Sequence, residues 1–179
     1  MKRWRTTWAG RLDQMSAHGA PPAAGPSKRR YAKSSRPTAS SDTVRRRMQS
    51  TPKRDTPAEL RIRRLLHAMG LRYSVDAKPL ADSRRRADVV FRRARVAVFV
   101  DGCFWHGCPE HGTWPKANRQ FWRAKILTNR RRDSDTSARL QTCGWRVIRA
   151  WEHEDPANVA MRVATQVRLR LRSKGTRER

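Results

Sequence analysis

Residues 87–102 read ADVVFRRARVAVFVDG. Two short runs, ADVVF (87–91) and RVAVFV (95–100), are β-branched and almost wholly apolar, which predicts buried central strands. The polar break RRAR between them predicts a hairpin. Asp88 stands near the head of the first run, a rigid place from which to present a carboxylate.

Working outward, RDTPAELRIRRLLHAMG (54–70) predicts a helix. Thr56 can cap it, Pro57 takes the first helical position and Glu59 stands at capping-box spacing. Ala58, Ile62, Leu65, Leu66 and Met69 form its apolar stripe, and Gly70 ends it. Downstream, residues 118–144 read as a helix, WRVIRAW (145–151) as a third strand, and DPANVAMRVATQVRLRLR as a last helix. Helix, strands, helix, strand, helix describes one α/β domain over 43–172. Residues 1–42, rich in Pro, Ala, Ser and basic residues, predict a disordered arm, and 173–179 a flexible basic tail. SDTVRRRMQS (41–50) offers a short basic helix.

The 179 residues carry 42 Lys and Arg against 15 Asp and Glu, a formal net charge of +27. Such an excess calls for a polyanionic partner, with nucleic acid ahead of an anionic membrane surface. No apolar run has the length of a membrane span, and the basic start lacks the apolar core of a secretory signal. A cytosolic location is expected.

Between strand and helix lies DGCFWHGCPEHGTW (101–114). Cys103, Cys108 and His111 give three close candidates for tetrahedral zinc, on a loop turned by Gly102, Gly107 and Pro109. The fourth ligand must come from His106, Cys143 or His153, and spacing does not choose among them. The alternative is that the cysteines are small core residues, against which the polar, Gly/Pro-rich setting argues.

Taken together, ADVVF, VAVFVDGCFWHGCPEH, FWRAKILTNRRRD and GWRVIRAWEHE resemble the very short patch repair (Vsr) DNA mismatch endonucleases, in order, over residues 43–154. The GCFWHGCPEH segment is highly specific. The resemblance implies a restriction-endonuclease-like central mixed sheet flanked by helices, with a structural zinc loop. It implies an endonuclease that nicks one strand 5′ of the T in T:G mispairs left by deamination of 5-methylcytosine.

The same resemblance puts the acidic Mg²⁺ ligand at Asp88, with the backbone carbonyl of Val100 completing that site. Ala87 stands before this Asp where the family often has Pro. It puts the catalytic histidine at His106 and zinc at Cys103, Cys108, His111 and His153, so that His153 is chosen over Cys143. The helix acid matches Glu59, which is equally well read as a cap. Asp101 stands where the best-known pattern has histidine. The matching DNA wedge is Phe104, Trp105 and Trp122, with Met48 entering from the other side; core packing beside Ile126 is the plain alternative for Trp122. The arginine runs at 45–47, 84–86 and 130–132 read as phosphate contacts.

The expected partner is double-stranded DNA bearing a T:G mismatch, bound by a monomer associated with the nucleoid. Mismatch-repair proteins are candidate partners. Two rival readings are a nuclease of the same fold without mismatch choice, and a non-catalytic, zinc-bearing nucleic-acid binder. Binding alone needs neither Asp88 nor His106, which weighs against the latter.

Overall fold

In a computed structural model of the chain, the residues described are 41–43, 45–46, 52 and 54–175. The arm expected over 1–42 and the wedge residue Met48 therefore lie almost wholly outside the described residues. Asp42, Thr43, Arg45 and Arg46 are helical, and Arg45 pairs with Asp42 at 2.8 Å.

The hairpin forms as its apolar runs require. Strand β2 (Ala87–Phe91) pairs antiparallel with β3 (Val96–Asp101), in the register Val89 to Val98 and Phe91 to Val96. A further strand, β1 (Ser74–Ala77), pairs antiparallel with β2. The sequence reading missed it, because a four-residue edge strand with only Ala77 buried carries no apolar signature. β4 (Arg146–Trp151) lies parallel to β3, with Val98 opposite Ile148 and Asp101 opposite Trp151. The result is an open, mixed sheet of order β1-β2-β3-β4 flanked by helices, consistent with a restriction-endonuclease-like fold.

One sheet face carries Val89, Phe91, Val96, Val98, Ile148 and Ala150. It is covered by Ile62 and Leu66 of α1 (Pro57–Ala68) and by Val159, Val163 and Val167 of the last helix. Burying each such side chain contributes about 1.5–3 kcal/mol. The last helix runs Pro156–Gly175, three residues past the expected domain end. The other face carries Val90, Ala97 and Phe99 and packs on Leu140 and Trp145.

The parallel pairing of β3 with β4 forces a long crossover. It contains a one-turn helix, α2 (Cys103–His106), and then the 24-residue α3 (Arg119–Thr142). Only Ile126, Asn129, Thr136 and Leu140 of α3 are buried, and two of these are polar. Cys143 follows α3 and is exposed, so it is neither a core residue nor part of the cysteine–histidine cluster. Gly144, at φ +78°, ends the helix in the left-handed region. The final helix, Pro156–Gly175, is α4.

Candidate active site

The capping box of α1 forms in full. Glu59 N donates to Thr56 Oγ1 at 3.3 Å, Glu59 Oε2 accepts from Asp55 N at 3.0 Å, and Thr56 Oγ1 lies 3.0 Å from Glu59 Oε1. Glu59 is thus a buried cap, 5 % exposed. Its charge still reaches Asp88.

Asp88 sits at the end of the hairpin, where its Oδ2 accepts from Val100 N at 2.7 Å. Burial, reinforced by the negative charges of Glu59 and Asp101, pushes its carboxyl up to about 6; the Val100 N–H and Arg149 oppose the shift. A half-buried carboxylate crowded by like charge suits a small divalent cation with oxygen preference, since the cation would offset that excess.

β3 ends in Asp101, and α2 begins two residues later. Gly107 closes α2 at φ +63°, and a Cβ there would meet Ile126 Cγ2 at 2.8 Å, so only glycine lets the turn lie this close to α3. Gly112 is held as tightly: its Cβ would meet the Cys108 carbonyl oxygen at 2.2 Å. These turns bring Cys103, Cys108 and His111 beside His153, which follows β4.

The ligand atoms of these four residues lie within 4.8 Å of one another. Cys103 Sγ is 3.1 Å and Cys108 Sγ 3.8 Å from His153 Nδ1. Tetrahedral donors at zinc distances stand roughly 3.3–3.8 Å apart, so this donor set fits zinc. His153 Nε2 lies 3.4 Å from Glu110 Oε2, the arrangement that turns Nδ1 toward the thiols. Burial and the neighbouring Cys108 push the Cys103 thiol up to about 12, so two thiolates here require a cation to offset them.

His106 points away from this cluster. Its Nδ1 lies 2.5 Å from Asp133 Oδ2 and 3.5 Å from Asp101 Oδ1. Asp133 comes from α3. Arg149, from β4, grips Asp101 with two nitrogens, Nε at 2.7 Å from Oδ2 and Nη2 on Oδ1, and also stands 3.6 Å from Asp133 Oδ1. Asp101, His106 and Asp133 are close enough to hold a cation, but Arg149 already supplies the positive charge between the carboxylates.

The aromatic residues cluster where this short helix meets the start of α3. Phe104 meets Trp105 at 5.1 Å and Trp122 at 5.4 Å between ring centroids, all edge to face and all partly exposed. Phe121 joins them, 5.1 Å from Trp122. Trp122 therefore packs into an aromatic group at the start of α3 rather than into the sheet core.

A family model, DNA mismatch endonuclease Vsr, matches residues 38–111. The type II nicking enzyme V.NaeI of Lentzea aerocolonigenes is 42 % identical over 112 residues, covering 62 % of this chain and 68 % of the relative. The chain belongs to the Vsr family. The DNA mismatch endonuclease Vsr of Escherichia coli is 36 % identical, over 62 % of this chain and 69 % of its own. The type II nicking enzyme V.NmeDIP of Neisseria meningitidis serogroup C is 38 % identical, over 71 % and 84 %. This Vsr-family chain is a DNA endonuclease by that membership, and none of its described helices is long and apolar enough to cross a membrane.

Three site residues of this Vsr-family chain escaped the sequence reading: Asp133, Asn129 and Arg149. Asp133 ends an arginine run read as phosphate contacts, and Arg149 sits in a strand read as core. A weak signal existed for α3, since 122, 126, 129, 133, 136 and 140 recur at spacings of three and four. That stripe mixes Asn, Asp and Thr with Ile and Leu, which marks a polar seam rather than a core face.

Proposed function

We propose that this chain is a Mg²⁺-dependent, zinc-stabilised endonuclease that nicks one DNA strand 5′ of the T in T:G mispairs, opening very short patch repair. The observation that carries the reading is one placement. The four-residue helix α2 bears both the aromatic pair Phe104–Trp105 and His106, directly after the strand that donates to Asp88.

Asp88 would hold Mg²⁺, with the Val100 carbonyl beside it. A divalent cation there would polarise the scissile phosphate and offset charge on the leaving oxygen. With Nδ1 of His106 held by Asp133, its Nε2 is the nitrogen left to orient a water or take its proton. Glu59 keeps its cap and adds negative charge beside Asp88. Cys103, Cys108, His111 and His153 would hold zinc, which ties the loop after β3 to the end of β4 and so fixes α2. Phe104, Trp105 and Trp122 would wedge between base steps, where a weakly stacked mispair resists least.

The test is a nicking assay on one duplex carrying T:G and on its T:A twin, each with and without Mg²⁺. Cutting confined to T:G with Mg²⁺ is expected. Equal cutting of both duplexes would leave a nuclease of this family without mismatch choice.

A further inference from the structure

We propose that Arg149 is a positioning residue for His106, an inference that rests on His106 acting on the attacking water as described above. Four side chains from four elements close into a ring: Arg149 on β4, Asp101 on β3, His106 on α2 and Asp133 on α3. Asp101 Oδ1 is shared between Arg149 Nη2 and His106 Nδ1. Asp133 spans the other side, with Oδ2 at 2.5 Å from His106 Nδ1 and Oδ1 at 3.6 Å from Arg149 Nη2.

Two carboxylates converging on one imidazole nitrogen repel each other. The guanidinium removes that repulsion by standing between them, and its planar fork fixes the Asp101 carboxylate by two parallel bonds. Arg149 is itself fixed from behind, with Cζ 4.9 Å from the centre of the Phe99 ring. Its Nη1 is buried without a hydrogen-bond partner among the described residues, so the two carboxylates set its position at the expense of that donor. Beside the ring opens a cavity of about 250 Å³, lined by His106, Arg130, Ser134, Ser137 and Trp151. With the ring closed, the imidazole has one orientation, Nδ1 inward. Without Arg149 the carboxylates separate, and the ring can turn into the cavity.

The experiment uses the full-length, zinc-loaded protein with Arg149→Met and Arg149→Lys. The T:G duplex should bind with unchanged affinity and unchanged salt dependence. The single-turnover nicking rate should fall about 10²-fold in Arg149→Met, the scale of a misplaced catalytic group. Arg149→Lys should recover part of it, since an ammonium holds one carboxylate but not both. The ¹⁵N resonances of the His106 ring should move from the Nδ1–H form toward a mixture of tautomers in Arg149→Met.

An unchanged rate would overturn the proposal. So would weaker binding with a salt slope reduced by about one, which marks a phosphate contact. A lowered rate with unmoved His106 resonances would equally overturn it. If Arg149→Met fails to fold, Arg149→Lys and Asp101→Asn, which opens the ring from the other side, carry the comparison. Should the wild type cut T:G and T:A alike, the mismatch reading fails, while the ring resonances still decide the role of Arg149.

Discussion

Asn129 donates from Nδ2 to the carbonyl oxygen of Trp105 at 2.9 Å. One turn further along α3, Asp133 holds the next residue of α2, His106. A single rigid helix therefore grips two neighbouring positions of the one-turn helix, one beneath the aromatic group and one beneath the imidazole. On the proposed wedge role, a displacement of Phe104 and Trp105 would be transmitted to His106, because Trp105 and His106 are both anchored to the same α3 stripe.

Replacing Asn129 with Leu tests this anchor. The Trp105 carbonyl would lose its buried donor, at a cost of about 1–3 kcal/mol in stability. Thermal denaturation should show the loss. Nicking of T:G should fall further than binding, because α2 is loosened at its centre. A variant as stable and as active as the wild type would show that α2 is held by other contacts.

Asp133→Ala should leave the duplex bound and slow single-turnover nicking by about 10²-fold, the lower end of what a general base contributes. Asp133→Asn should be intermediate, since its amide oxygen can still accept from Nδ1. Parallel titrations by fluorescence anisotropy separate affinity from rate. Equal losses of both would place Asp133 in DNA binding instead.

Asp88→Asn should abolish nicking and yet stabilise the metal-free protein at neutral pH. The folded state raises this carboxyl from the ordinary 3.8 to about 6. The folded protein thus holds the proton more tightly, and the stability this provides at low pH is lost as pH rises from about 4 through 6. Above that window the ionised carboxylate costs about 3 kcal/mol, which the amide would not. Melting temperatures at pH 7 and pH 4 check the sign: a gain at pH 7 only.

Nicking at limiting Mg²⁺ should decline as pH falls through about 6, because protonated Asp88 is a poor cation ligand. Raising Mg²⁺ should move that decline to lower pH, since metal and proton compete for one carboxylate. An acid limb indifferent to Mg²⁺ would place the titrating group elsewhere.

Cys108→Ser should reduce bound zinc, measured by elemental analysis against about one zinc per wild-type chain. It should also raise the reactivity of Cys103, which is buried in the intact loop. Nicking should fall with zinc content. An unchanged metal content would leave the cysteines as core residues.

The hairpin of β2 and β3 was legible because ADVVF and RVAVFV are apolar but for Asp88 and Arg95, as only strands covered on both faces need to be. The cap of α1 was legible because Thr56, Pro57 and Glu59 act over four residues. β1 was not, since an edge strand of four residues needs neither alternation nor bulk. For the fourth member of the cysteine–histidine cluster, spacing left three choices. His153 joins it only because β4 lies parallel to β3 and delivers residue 153 beside residue 103. Asp133 and Arg149 were hidden for the same reason: each touches His106 only through pairing between distant parts of the chain, and in isolation each looks like one more charge in a very basic sequence.

That parallel pairing also orders events during synthesis. A nascent chain that has emerged as far as α3 already holds Asp88, His106 and Asp133, but neither Arg149 nor His153. On the proposed mechanism the site stays incomplete until the ribosome has delivered β4, so a product truncated before it would be a basic polypeptide lacking both the Arg149 brace and the His153 donor.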